Sequence, residues 1–192
     1  MVLATHNAGK LAELVALLEP YRINVVSAKA LGLAEPLETE DTFIGNARIK
    51  AHAAMRATGL PALADDSGLC VDALEGAPGV YSADWAERPG GRDFHHAMRQ
   101  VHNLLDGLPG PWTAQFRATL VLAWPDGSDE IFEGVLHGQI VWPMRGDGGH
   151  GYDPIFLADG TDRTVAELLD TEKNAISHRG RAFQAFVASC FT

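Results

Sequence analysis

The sequence is poor in cysteine, has no long apolar run and is short of positive charge, and each lack removes a class of protein. Cys70 and Cys190 are the only two cysteines in 192 residues. Two thiols without CxxC or metal-ligand spacing make no disulfide framework, so both are expected to be free and idle. No stretch reaches the roughly eighteen apolar residues that a membrane span needs, and no charged segment leads into an apolar one, so neither a membrane span nor a secretory leader is signalled. A cytoplasmic protein is expected. With 15 Lys and Arg against 25 Asp and Glu the formal charge is -10, which argues against wrapping a nucleic-acid polymer, because affinity for a phosphate backbone comes from clustered basic side chains. A small anion reached through a metal ion stays open.

What is present is enough for a core. Hydrophobic residues make up 46% of the chain, sufficient for one domain over 1–192 or for two lobes around one sheet. Val2-Leu3-Ala4-Thr5 reads as a short buried strand that enters a turn at His6-Asn7-Ala8-Gly9. Leu11, Leu14, Leu17 and Leu18 then fall at helical spacing over 10–18, until Pro20 stops the helix. A second strand is expected over 23–26 and a long helix over 42–58, with Phe43, Ala47, Ala51 and Ala54 on its apolar face. Ala62-Leu63-Ala64 reads as a short strand ending in Asp65-Asp66-Ser67-Gly68, and Gly76-Ala77-Pro78-Gly79 as a loop. Helix returns over 93–105. Alternating polar and apolar residues over 114–124 and 130–142, separated by Pro125-Asp126-Gly127-Ser128, predict a long hairpin. A glycine-rich stretch, 146–151, leads to a short strand at Ile155-Phe156-Leu157, and Phe183, Phe186 and Val187 share one face of a terminal helix that begins near Ser177. Early strands alternating with helices, then a hairpin, point to a mixed α/β fold.

Five clusters can carry chemistry. In Thr5-His6-Asn7-Ala8-Gly9-Lys10 a strand end delivers polar residues to a helix N-terminus, whose free N–H groups and partial positive charge suit phosphate, with Lys10 adding a full charge; an ordinary cap by Thr5 or Asn7 is the alternative. Asp65-Asp66-Ser67-Gly68 sets two carboxylates at a strand end, where a hard cation such as Mg²⁺ finds oxygen ligands. Neighbouring strand residues face opposite ways, so one of the pair is expected at the site, and Asp66 is favoured over Asp65; a plain Asp-Ser-Gly turn is the alternative. Glu38, in an acidic segment running to Asp41, can reach the same metal, or the segment simply caps the helix that follows. Asn46, one turn into that helix, either faces the site or is solvated. Lys173-Asn174-Ala175-Ile176-Ser177-His178-Arg179 gathers donors against the overall charge and suits an anionic ligand, unless it is a solvated loop capped by Ser177. Gly148-Gly149-His150-Gly151-Tyr152-Asp153-Pro154 puts two rings among glycines, suited to stacking on a base, or is a glycine loop with one packed tyrosine.

In this order the segments resemble the inosine/xanthosine triphosphate pyrophosphatase family, the non-canonical purine NTP pyrophosphatases. The matching blocks are T-x-N-x-x-K at Thr5–Lys10, E-T-x-x-T-F at Glu38–Phe43, ADDSGL at Ala64–Leu69, GAPGVYSA at Gly76–Ala83, GYDPIF at Gly151–Phe156 and K-x-x-x-SHRG at Lys173–Gly180. The resemblance implies a long mixed central sheet flanked by helices, with two lobes and an active-site cleft between them, in a homodimer. It implies hydrolysis of ITP, dITP or XTP to the monophosphate and pyrophosphate with Mg²⁺, one or more ions per subunit. Asp66 would be the proton acceptor and a metal ligand, Glu38 a second metal ligand, and Thr5, His6, Asn7, Ala8, Gly9, Lys10 and Ser67 would contact the substrate. His150, Gly151, Tyr152, Asp153, Lys173, His178 and Arg179 would surround the base. The chain departs from the family at His150, where Phe is common, and at Gly45, where Glu is frequent before the helix asparagine. A pyrophosphatase for other modified nucleotides, or a nucleotide sensor without turnover, are the alternatives.

Overall fold

β1 (Val2–Leu3) lies between two parallel neighbours, β2 (Val26–Ser27) and the start of β3 (Ala62–Val71), in the computed structural model of the chain, which describes residues 1–191. The sheet continues through β6 (Trp112–Ala123), β7 (Asp129–Ile140) and β8 (Phe156–Ala158), in the order β2-β1-β3-β6-β7-β8. β7 and β8 are antiparallel. β6 and β7 form the expected hairpin, whose turn is closed by the Gly127 N–H donating to the Trp124 carbonyl at 2.9 Å. Parallel pairing at one edge and antiparallel pairing at the other make the sheet mixed. β4 (Glu87–Arg88) and β5 (Gly91–Arg92) form a separate small ribbon. The helices are α1 (Ala8–Leu18), α2 (Phe43–Thr58), α3 (Phe94–Leu105), α4 (Asp170–Ile176) and α5 (His178–Cys190).

The chain forms two compact units, one of 1–66, 118–133 and the residues from Ala182 onward, the other of 67–117 and 134–181. In the first, strand alternation sorts the core into two layers. Val2, Ala4, Ala62, Ala64, Val121 and Ala123 pack with Ala47, Ala51, Ala54 and Met55 of α2. Leu3, Leu63, Ala118, Leu120 and Leu122 pack with Leu14 and Leu18 of α1 and Ala182, Phe183 and Phe186 of α5. α1 and α2 start where a side chain satisfies their first N–H groups. Asn7 Oδ1 accepts from Gly9 and Lys10 at the head of α1, and Thr42 Oγ1 accepts from Gly45 at the head of α2. α2 ends at Gly59, whose φ of 68° suits a residue without Cβ.

The second unit has its own core. Leu69 and Val71 of β3, Phe116 of β6, Leu136 and Ile140 of β7 and Phe156 of β8 pack with Ala97, Met98, Val101 and Leu105 of α3. Asp93 caps α3 through the His96 N–H at 3.0 Å.

Three local expectations need correction. β3 does not end at Ala64: it runs to Val71, because Leu69 and Val71 belong to a core and continue the strand. Asp65-Asp66-Ser67-Gly68 is therefore extended strand and not a turn. β2 begins at Val26 and not at Ile23, because its pairing with β1 starts at Val2↔Val26 and nothing in β1 precedes that register. Lys173 to Arg179 is no solvated loop: it spans α4 and the head of α5, with Lys173, Ser177 and Arg179 buried.

Candidate active site

β3 presents consecutive carboxylates to opposite faces of the first unit. Asp66 shares the parity of Ala62 and Ala64, which face α2, and Asp65 that of Leu63, which faces α1. Each meets a lysine from the helix on its side. Lys10 Nζ of α1 lies 2.5 Å from Asp65 Oδ1, and Lys50 Nζ of α2 lies 2.9 Å from Asp66 Oδ1. Lys50 Nζ also lies 2.9 Å from Glu38 Oε1, so one ammonium spans two carboxylates. The other Asp66 oxygen, Oδ2, is buried with no hydrogen-bond partner among the described residues. Burial raises the Asp66 pKa, and the lysines Lys50 and Lys10 only partly oppose it. Burial alone would lower Lys50, but the charges of Asp66 and Glu38 outweigh it and raise its pKa. A buried carboxylate shifted toward neutrality is a better proton acceptor than a solvated one.

The acidic segment is held by the first turns of α2. Asn46 is buried, not solvated, and its Oδ1 accepts the Glu40 N–H at 3.0 Å. Gly45 admits the same segment: a Cβ there would lie 2.5 Å from Glu40 Cβ and 2.7 Å from its Cγ. Glu40 thus fills the space where a longer residue 45 would begin. Beside Lys50 is a cavity of about 240 Å³, walled in part by Ala53, Ala54 and Ala57 of α2 and by His6.

At the head of α1 the Asn7 N–H donates to Thr5 Oγ1 at 3.2 Å, and Asn7 itself is the cap. Asn7, Ala8 and Gly9 are exposed and so reachable by an anion. His6 Nε2 lies 2.9 Å from the Leu33 carbonyl. Since a carbonyl only accepts, Nε2 carries the proton.

The second unit gathers the remaining candidates. Asp153 Oδ2 accepts both the Lys173 ammonium at 2.6 Å and the His150 N–H at 2.8 Å. Gly149, at φ 72°, lets the loop close over that carboxylate, because any Cβ would collide with it. Arg179, buried, donates from one terminal nitrogen to Ser67 Oγ at 2.9 Å. His178 stacks on Phe116 with centroids 5.1 Å apart. Ser177 Oγ accepts the Gly180 N–H at 2.9 Å and caps α5. Tyr152 belongs to the core: its hydroxyl donates to the Ser82 carbonyl at 2.8 Å, and burial pushes its pKa up. Its ring packs edge-on against Phe94. His150 and Gly151 stand in the loop around it.

A family model described as the Ham1 family matches residues 1–189. The chain belongs to the Ham1 family. Among curated relatives, a dITP/XTP pyrophosphatase of Ruegeria pomeroyi is 61% identical over 193 residues, covering 100% of this chain and 95% of its own. A dITP/XTP pyrophosphatase of Gluconobacter oxydans is 56% identical, covering 99% and 90%. Solved Ham1 structures are also similar. The HAM1 protein of Coxiella burnetii superposes with a TM-score of 0.90 at 39% identity, covering 98% of this chain and 96% of that one. The Staphylococcus aureus Ham1 protein gives 0.88 at 33% identity, with the same coverage of 98% and 96%. Membership agrees with the motif order, and among the described residues no helix of this Ham1 chain is long and apolar enough to cross a membrane. Both cysteines are free.

The residue that sequence reasoning missed in this Ham1 chain is Lys50. Its signal was legible: it sits in the stripe Ala47, Lys50, Ala51, Ala54, at helical spacing, so an ammonium on the apolar face of α2 has to meet an acid. The holding role of Asp153 under Lys173 had no comparable sign.

Proposed function

We propose that this Ham1 chain hydrolyses non-canonical purine nucleoside triphosphates, ITP, dITP and XTP, to the monophosphate and pyrophosphate. The observation that carries the reading is Asp66: a buried carboxylate, raised in pKa, with one oxygen on Lys50 and the other without a partner among the described residues. The names of the relatives agree with it.

The residues fit a divalent ion. Asp66 and Glu38 are hard oxygen donors, and the unpartnered Oδ2 is a donor atom with nothing to bind within the chain. Mg²⁺ is ordinarily held by one or two carboxylates together with substrate phosphates, and these two carboxylates are of that kind. When bound, the ion would supply neutralisation of charge on the transferring phosphoryl group. The chain's own side chains do the rest. Asp66 orients a water and takes its proton as the water oxygen bonds the α-phosphorus. The bond from the α-phosphorus to the bridging oxygen breaks, and pyrophosphate leaves. Thr5 to Gly9 hold phosphate at the head of α1, and Lys10 adds charge there.

Base recognition is assigned to His150, Gly151, Asp153, Lys173, His178 and Arg179, with Ser67 beside Arg179 and Tyr152 acting through its backbone. Lys173 and Arg179 only donate hydrogen bonds, so they suit the 6-oxo group of hypoxanthine and xanthine and oppose the 6-amino group of adenine. One functional domain over 1–192, a homodimer and a cytoplasmic location complete the reading.

The test is product analysis with Mg²⁺ over inosine, xanthosine, guanosine and adenosine triphosphates. Pyrophosphate from the first two is expected. Orthophosphate with diphosphate would mean cleavage at the γ-phosphate and would overturn the reading.

A further inference from the structure

The two carboxylates assigned to a divalent ion are both held by one lysine. We propose that Lys50 is a displaceable counter-cation: its ammonium must leave Glu38 and Asp66 before a divalent ion can take them, so the ion enters with the nucleotide and not ahead of it. The inference rests on the reading that Glu38 and Asp66 hold the ion.

Three observations carry it. First, Lys50 Nζ lies 2.9 Å from both Glu38 Oε1 and Asp66 Oδ1, so it holds one oxygen of each carboxylate assigned to the ion and leaves Asp66 only its Oδ2 to offer. An ion approaching alone competes with a full charge already in hydrogen-bond contact. Second, the local charges are nearly balanced: Glu38, Asp65 and Asp66 face Lys10 and Lys50. A divalent cation gains little from such a set until a triphosphate adds negative charge and offers the ammonium new acceptors. Third, Lys50 has room to move. It borders the cavity of about 240 Å³ whose walls include Ala28, Ala34, Ala53, Ala54 and Ala57. Core side chains are ordinarily close-packed and fixed. Here small neighbours leave space for a flexible four-carbon stem to swing.

By linkage, whatever draws Lys50 away strengthens ion binding, and the ion strengthens nucleotide binding by the same factor. Mn²⁺ binding, followed by the loss of its free-ion electron paramagnetic resonance signal, tests this on the full chain without turnover. Wild type, Lys50→Met and Lys50→Gln are titrated without nucleotide, with Asp66→Asn as the control for the site. Circular dichroism identifies any variant that does not fold, and either Lys50 variant suffices. Wild type is then titrated with inosine 5′-[α,β-imido]triphosphate present.

The expected result is Mn²⁺ binding tighter in the Lys50 variants than in wild type by about tenfold or more, within the usual range of coupling between sites. Equal affinity in wild type and the variants, abolished by Asp66→Asn, would overturn the displacement while leaving the metal site standing. No protein-dependent Mn²⁺ binding even with the analogue, beyond what the analogue takes alone, would overturn the metal reading itself and the displacement with it.

Discussion

Asp65 and Asp66 are neighbours in β3, yet their carboxylates face opposite layers, Asp65 toward Lys10 of α1 and Asp66 toward Lys50 of α2. In the proposed mechanism, equivalent chemistry at adjacent positions therefore has inequivalent roles. Asp66→Asn is expected to lower kcat by about 10²–10⁴-fold, the usual worth of a general base. Asp65→Asn releases Lys10 and is expected to raise KM for ITP more than it lowers kcat. Steady-state pyrophosphate release measures both. Equal losses in kcat would remove the distinction.

Because burial raises the Asp66 pKa, pH should act twice. In catalysis, kcat/KM should fall on the acid side with a limb above the ordinary carboxylate range, since Asp66 must be ionised to accept a proton. In stability the sign is opposite. The folded chain binds the Asp66 proton more tightly than the unfolded chain, so stability declines as pH rises from the unfolded carboxylate pKa through the raised one. Urea midpoints over that window should slope less in Asp66→Asn. An acid limb at the ordinary carboxylate pKa would place the proton acceptor elsewhere.

The layered core and this site were legible to different depths. Strand parity and helical spacing are local, so the α1, α2, α3 and hairpin positions followed from the pattern of Leu11, Leu14 and Leu18, of Ala47, Ala51 and Ala54, and of the alternation on either side of Pro125. The end of β3 did not. Four polar or small residues, Asp65 to Gly68, look like a turn when their neighbours are unknown, but β3 has a strand on either side and continues into the buried Leu69 and Val71. Asp65, Asp66, Glu38 and Lys10 were readable as residue types, but the pairing of Glu38 with Asp66 through Lys50 joins three separate segments. α4 is short, and its Leu169 N–H depends on Glu172 at 2.9 Å, a contact without periodicity.

At Gly45 the structure reverses a general rule. Replacing a helical glycine by alanine ordinarily stabilises by about 0.5–1 kcal/mol. Here the new Cβ would meet Glu40 Cβ and Cγ, at 2.5 and 2.7 Å, and overpacking of that kind costs roughly 1–3 kcal/mol. Gly45→Ala is expected to destabilise, and Gly45→Ala in a Glu40→Gly background to recover the loss. Denaturant melts of the four proteins of that cycle measure the coupling. Additive effects would mean that Glu40 does not fill the space.

Asp153 bears a further buried ion pair. The side chains of Lys173 and Asp153 are 10% and 5% exposed, and the same carboxylate oxygen also accepts the His150 N–H. Removing one partner of such a pair costs roughly 3–5 kcal/mol, because the other charge is left buried. Asp153→Asn should lower the urea midpoint accordingly, and adding Lys173→Met should restore part of it. A wild-type midpoint in Asp153→Asn would show that the pair is worth little.

Arg179 offers the sharpest test of base choice. It is buried, one terminal nitrogen is on Ser67 Oγ at 2.9 Å, and a guanidinium can only donate. If it meets the 6-oxo group, a 6-amino group leaves it facing a donor, and an unmatched buried partner costs roughly 1–3 kcal/mol, about tenfold in selectivity. Arg179→Met should therefore lower kcat/KM for ITP by about tenfold or more while changing that for ATP little, so that the ITP/ATP ratio shrinks. Arg179→Lys keeps the charge but loses the planar fork and should recover only part of the ratio. Parallel kcat/KM measurements on both nucleotides decide it. A ratio unchanged in Arg179→Met, with both rates lowered together, would make Arg179 a support for Ser67 and leave Lys173 as the reader of the base.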